Sequence, residues 1–186
     1  MSQEDNIFTA RLRIEPLQEQ HAGLVYAQQL NADLYTYIPQ DPLEISELKR
    51  RYTFLQNGIS PDGSEYWLNW VAFMHETNTP IGTFQATIPK NGNAMLGYTI
   101  FRQFWRRGFA KEMSSGLITY IFNQYQPKEV FAEIDSRNIA SIKLVESLGF
   151  NKVKFQKNVD FFKGESSDEF TYTLTDKEWV TSLKKV

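Results

Sequence analysis

The chain contains no cysteine. Disulfide staples, thiolate nucleophiles and cysteine metal sites are therefore excluded together. Histidine is almost as scarce, with His21 and His75 the only two. They form no His-Glu-x-x-His spacing, so no zinc chemistry is expected and no metal is assigned. Long hydrophobic runs are missing as well. The most apolar stretch, 66–74, is interrupted by Asn69 and falls far short of the ~20 residues a membrane helix needs. Nor is there a surplus of one charge. Twenty Lys plus Arg face 22 Asp plus Glu, a formal charge of −2, with a pI near 5.8. That excludes a whole-protein basic field for nucleic acid or an anionic membrane.

What is present reads as one globular domain over residues 1–186, since domains typically hold about 150 residues. Aromatics are plentiful, at 15% of the chain, enough to fill a core or to wall a ligand cleft. The first five residues, Met1-Ser2-Gln3-Glu4-Asp5, are acidic and polar and do not suit a signal peptide. A soluble, cytoplasmic protein is the expectation.

Residues 7–14 alternate, with Phe8, Ala10, Leu12 and Ile14 on one face, as in a half-buried strand. A helix is expected over 17–30. A second opens at Asp41-Pro42, carries Leu43, Leu48, Tyr52 and Leu55, and stops at Asn57-Gly58. Strands follow at 66–75, 81–88 and 95–101. Asn91-Gly92 between the last two marks a hairpin, so the three form an antiparallel meander. Phe109, Met113, Leu117 and Ile121 recur at helical spacing and end before Pro127. A short strand at 130–135 leads to a helix through Ile142, Val145 and Leu148, closed by Gly149. Strands at 153–162 and 170–174 flank a Gly164-Glu165-Ser166-Ser167 turn. The total is about seven strands in a mostly antiparallel sheet with flanking helices, a mixed α/β or α+β domain.

The most informative segment is Arg102-Gln103-Phe104-Trp105-Arg106-Arg107-Gly108-Phe109-Ala110-Lys111, where a strand ends and a helix begins. Unpaired N–H groups and the helix dipole attract anions there. Gly108 lets the backbone come close to a ligand, and Ala110 keeps the first turn slim. Arg102, Arg106, Arg107 and Lys111 stand against the single acid Glu112. On these residues alone, a plain turn with solvated arginines remains open. The spacing is neither a P-loop nor Gly-x-Gly-x-x-Gly.

The run Trp105-Arg106-Arg107-Gly108-Phe109-Ala110 resembles the Gln/Arg-x-x-Gly-x-Gly/Ala loop of the GNAT superfamily of N-acetyltransferases. Downstream, Asp135-Ser136-Arg137-Asn138-Ile139-Ala140-Ser141-Ile142 and Leu148-Gly149-Phe150 resemble that family's second signature. The details look most like its ribosomal-protein N-terminal acetyltransferase branch. The resemblance implies acetyl-CoA as donor, an amine acceptor, and splayed central strands that admit the pantetheine arm. The amides of Arg107, Gly108, Phe109 and Ala110, with Arg106 nearby, would hold the pyrophosphate, and Arg102 and Lys111 are candidates for other phosphates. Backbone groups of Tyr98, Thr99 and Ile100 would hold the arm, and Asn138 would guide the thioester end or cap its helix. No nucleic-acid or membrane partner is expected, and the chain would be a monomer or homodimer.

The family attacks directly in a ternary complex, which agrees with a chain lacking cysteine. An α-amino group is roughly a tenth neutral at pH 7, whereas lysine costs about 3.4 kcal/mol more to deprotonate. Candidates for the base are Glu133, Asp135 and His75, with Glu133 first because it lies on the strand beside the expected thioester. Many members place a Tyr seven residues after the Asn; here that position is Val145. Ser141 could supply the proton instead. A thiol of pKa near 8.5 also leaves tolerably unaided. A non-catalytic acyl-CoA-binding module of the same fold is the alternative. Nucleic-acid binding through residues 101–107 is disfavoured by the acidic pI.

Overall fold

The computed structural model describes residues 6–184, so the acidic run Met1–Asp5 lies outside the described residues. One sheet of eight strands runs in the order β1-β2-β3-β4-β5-β6-β8-β7. Strands β3 (Glu65–Met74), β4 (Pro80–Pro89) and β5 (Ala94–Ile100) form the antiparallel meander. Leu68 through Phe73 of β3 are all buried, as a run apolar on both faces requires.

The expected first strand is divided. β1 (Ile7–Phe8) turns back on β2 (Leu12–Pro16), with Ile7 opposite Ile14. The cause is tertiary. The Thr9 hydroxyl and the Arg11 backbone N–H both donate to Glu112, in the helix that begins at Phe109, at 2.6 and 2.7 Å, and draw the intervening residues out of the strand. This division makes eight strands of the expected seven. The first two helices are α1 (His21–Gln29) and α2 (Ile45–Leu55), joined through a 3-10 turn at Ala32–Tyr35. Burial holds the His21 pKa below its usual value, although Glu15 opposes the shift.

Helix α3 (Phe109–Tyr125) lays Phe109, Met113, Leu117 and Ile121 into the core. It ends at Gln126, φ 50, one residue before Pro127. Strand β6 (Glu129–Asp135) then runs parallel to β5. Helix α4 (Ile139–Ser147) is capped by Asn138, whose side-chain oxygen accepts from Ser141 N–H at 3.1 Å.

Strands β7 (Asn151–Phe162) and β8 (Glu165–Thr175) form the terminal hairpin. Its turn is Lys163-Gly164, one step earlier than expected, because Phe162 already pairs with Glu165. Helix α5 (Asp176–Leu183) was not expected, although Thr175-Asp176-Lys177-Glu178 is a capping-box sequence. Its Trp179 is buried, and the indole N–H donates to the Thr119 hydroxyl at 3.1 Å.

No helix among the described residues is long and apolar enough to cross a membrane. No group of three or more potential metal ligands occurs among them.

Candidate active site

The parallel contact between β5 and β6 is brief. Only Ala94 with Val130 and Met95 with Phe131 are paired. Beyond them the strands part, so one edge of β5 from Leu96 onward has no strand partner. A wedge opens between neighbouring strands of one sheet, bordered by the free amides and carbonyls of an unpaired edge.

At the mouth of the wedge lies the loop before α3. Arg106 has φ 57 and Gly108 has φ 78. Two left-handed residues flanking Arg107 in this turn bring backbone N–H groups toward one side, an anion-nest arrangement. The helix begins at Phe109, so the N–H groups of its first turn lack intrahelical acceptors. A side chain at Gly108 would meet only Arg11 Nη2, at 3.5 Å, so space lies open over the nest. Trp105 fastens the loop by donating its indole N–H to the Ile100 carbonyl at 2.5 Å. The donor set of this turn and the basic side chains around it suit an anionic group.

The basic residues fall into two groups. Arg102 bonds Asp33 at 2.7 Å and lies over the Trp105 ring. Arg11, not singled out by the sequence, bonds Glu112 at 2.6 Å and donates to the Arg107 carbonyl. Hydrogen bonds from Thr9 and Arg11 hold the Glu112 carboxyl below its usual range, against burial, which pushes the other way. Arg106, Arg107 and Lys111 have no ion-pair partner among the described residues. The local excess of positive charge therefore survives folding.

The wedge leads into a cleft of about 580 Å³. One wall is Tyr35, Tyr37 and Ile38, from the stretch after α1, with Tyr52 of α2 beside them. The floor carries Thr99 of β5, Glu133 and Asp135 of β6, Glu169 of β8, and Asn138 and Ser141 of α4. Six of the residues singled out in the sequence (Tyr98, Thr99, Glu133, Asp135, Asn138 and Ser141) thus meet in one cavity. Ile100 and Phe109 are buried, at 8% and 2% exposure, and offer this site only their backbones.

The three candidate bases separate clearly. His75 is not in the cleft; it stacks on Phe8, and its Nε2 lies 3.3 Å from the Thr9 carbonyl. Asp135 is held by two hydrogen bonds from the Arg137 guanidinium (2.9 and 2.7 Å) and one from the Ser167 hydroxyl (2.8 Å). Those partners keep its carboxyl below the usual range despite burial. Glu133 is exposed to the cleft on the same face of β6.

Glu169 is the residue the sequence reading missed. It pairs with Asp135 across β6 and β8, which sets it diagonally from Glu133. Burial pushes its carboxyl above the usual range, the charge of Glu133 pushes it further, and Lys154 opposes both. Two mutually repelling carboxylates in one cleft commonly divide into one easily protonated and one ionised group.

The position that would carry a tyrosine on α4, Val145, is buried at 2% exposure. A phenol reaches the same helix from elsewhere. Tyr98 of β5 spans to Ser141 of α4, with the two hydroxyl oxygens 2.5 Å apart. Burial pushes the Tyr98 phenol up to about 12, and its hydrogen bond to Ser141 offsets only part of that. The Asn138 side-chain oxygen is engaged as the helix cap, which leaves its NH₂ facing the cleft.

The chain belongs to the GNAT family. The pattern described as the Acetyltransferase (GNAT) domain matches residues 11–151. It is an N-acetyltransferase by that membership. An uncharacterized N-acetyltransferase p20 of Bacillus licheniformis is 26% identical over 178 residues, covering 95% of this chain and 99% of the relative. Two solved structures share the fold. The RimL ribosomal L7/L12 alpha-N-protein acetyltransferase, in complex with coenzyme A, has a TM-score of 0.80 at 18% identity, covering 92% of this chain and 98% of that one. The spermidine N-acetyltransferase of Vibrio cholerae, in complex with CoA and spermine, has a TM-score of 0.78 at 17% identity, covering 92% and 99%.

Proposed function

We propose that this protein transfers the acetyl group of acetyl-CoA to a primary amine by direct attack, with donor and acceptor bound together. The observation that carries this reading is continuity. The Gly108 loop follows the end of β5 that has parted from β6, and the same stretch of β5 lines a cleft holding Glu133, Asp135, Glu169 and the Tyr98–Ser141 hydroxyl pair.

The amides at 107–110 would hold the diphosphate, with Arg106, Arg107 and Lys111 supplying charge. The free edge of β5 at Tyr98–Ile100 would bond the pantetheine arm. Acetyl-CoA supplies the thioester whose carbonyl carbon the amine attacks. A C–N bond forms and the C–S bond breaks. Glu169 accepts the proton released by the amine, through water or directly, because its raised pKa brings it closer to neutral pH than an ordinary carboxylate. The charge of Glu133 sustains that shift. The departing sulfur takes a proton from Ser141, and the Tyr98 phenol bonded to Ser141 stands ready to replace it. The NH₂ of Asn138 would orient the thioester end.

Two acceptor types compete within this reading, a protein or peptide N-terminus and a small amine. The structural relatives named above include one of each kind. Acetyl-CoA as donor is in keeping with the cytoplasmic location expected from the sequence.

The alternative, an acyl-CoA-binding module without transfer, takes its support from Val145 in place of a tyrosine. The Tyr98–Ser141 pair weighs against it by restoring a hydroxyl at α4. The test is acetyl-CoA-dependent thiol release with N-terminal peptides and polyamines offered separately. Release that depends on one acceptor class is expected. A clear acetyl-CoA thermal shift without acceptor-dependent release across both classes would support the binding module instead.

A further inference from the structure

The tip of the β7–β8 hairpin is built on Lys163 at φ 53 and Gly164 at φ 82. Two-residue turns with both residues left-handed are normally built on Asn-Gly or Gly-Gly. A lysine in this position is strained, and its side chain has a task. The Lys163 ammonium donates to the backbone carbonyls of Tyr35, of Ile38 (3.1 Å) and of Gln40 (3.2 Å). Asp41 Oδ1 lies 3.8 Å from it. Three carbonyl acceptors match the three N–H donors an ammonium carries.

Those acceptors belong to the cleft wall. Residues 35–41 all line the cleft except Thr36. The stretch is neither helix nor strand beyond Tyr35, and none of its residues is buried. Core packing therefore does little to hold it. Among the described residues, the side-chain hydrogen bonds tying 35–41 to the sheet are those of Lys163.

We infer that Lys163 is a specificity-determining positioning residue for the amine acceptor, clasping the 35–41 wall to the hairpin and cancelling the negative rim. This rests on the acetyl-transfer reading above. The clasp acts twice. It fixes the aromatic wall at one distance from Glu133 and Glu169. It also occupies a cage of three carbonyls and a carboxylate that would otherwise attract an acceptor's ammonium at the rim. With the cage filled by the protein's own cation, a cationic acceptor is drawn past the rim to the floor.

The experiment compares wild type, Lys163→Met and Lys163→Arg on the full chain. Amide hydrogen exchange of Ile38, whose N–H donates to the Tyr35 carbonyl that Lys163 also holds, is read first, without any acceptor. Exchange in Lys163→Met is expected to quicken by about tenfold there, while α3 and the Gly108 loop keep their protection. Unchanged exchange at Ile38 would overturn the clasp whatever the acceptor. With an acceptor in hand, its KM is expected to rise by about tenfold in Lys163→Met, with kcat and the KM for acetyl-CoA little altered. Lys163→Arg, which keeps the charge but not the fit to three carbonyls, should fall between. Equal rises in both KM values, or an unchanged acceptor KM, would contradict the assignment. A wild-type chain with no acetyl-CoA thermal shift would instead count against the acetyl-transfer reading and leave the exchange result to judge the clasp.

Discussion

Glu169→Gln is expected to lower kcat/KM for the amine acceptor by about 10²- to 10⁴-fold, the usual contribution of a positioned proton acceptor. The amide keeps the shape of the carboxylate but cannot take a proton. The wild-type pH profile carries the sign. A base works only when deprotonated, so activity should fall as pH falls through the Glu169 pKa. Burial and the Glu133 charge place that acidic limb above the ordinary carboxylate range. In Glu169→Gln the limb should vanish. Glu133→Gln removes the repelling charge and should instead move the limb to lower pH with a modest loss of rate. If Glu133→Gln abolishes turnover and Glu169→Gln retains both rate and limb, the two roles are reversed.

Gly108→Val should reduce acetyl-CoA affinity by at least about 100-fold, which corresponds to about 2.8 kcal/mol. Two effects combine. A β-branched residue strongly resists the left-handed conformation that Gly108 holds at φ 78. Its side chain would also fill the open space over the nest, where Arg11 Nη2 at 3.5 Å is the nearest group. The fold should survive because no buried atom is displaced, although the strain itself costs about 1–2 kcal/mol. Calorimetric titration with acetyl-CoA, alongside a melting curve, separates the two effects. Near wild-type affinity in a folded Gly108→Val protein would remove the cradle from the account.

The glycine-opened start of α3 was legible in the sequence because it is local. Helical spacing from Phe109 to Ile121, a glycine at the helix start and surrounding arginines lie within one short run. The meander was legible for the same reason, from an uninterrupted apolar strand and an Asn-Gly turn. What the sequence hid depends on distant partners. The break after Phe8 is caused by Glu112, about a hundred residues away. Glu169 reaches the cleft only through the β6–β8 register, which no local pattern specifies. Asp135 and Glu133 look equivalent on alternating positions, yet Arg137 and Ser167 bind one and leave the other open. The phenol bonded to Ser141 arises from β5 rather than from α4, so the gap at Val145 was visible but its replacement was not. Helix α5 had a local signal in its capping box and could have been read.

The most direct measurement is a crystal structure of the protein grown with coenzyme A. The expected density places the diphosphate within hydrogen-bonding reach of the amides at 107–110 and runs the pantetheine arm along the free edge of β5 toward Ser141. A well-ordered ligand seated anywhere else, or an empty wedge at saturating coenzyme A, would contradict it.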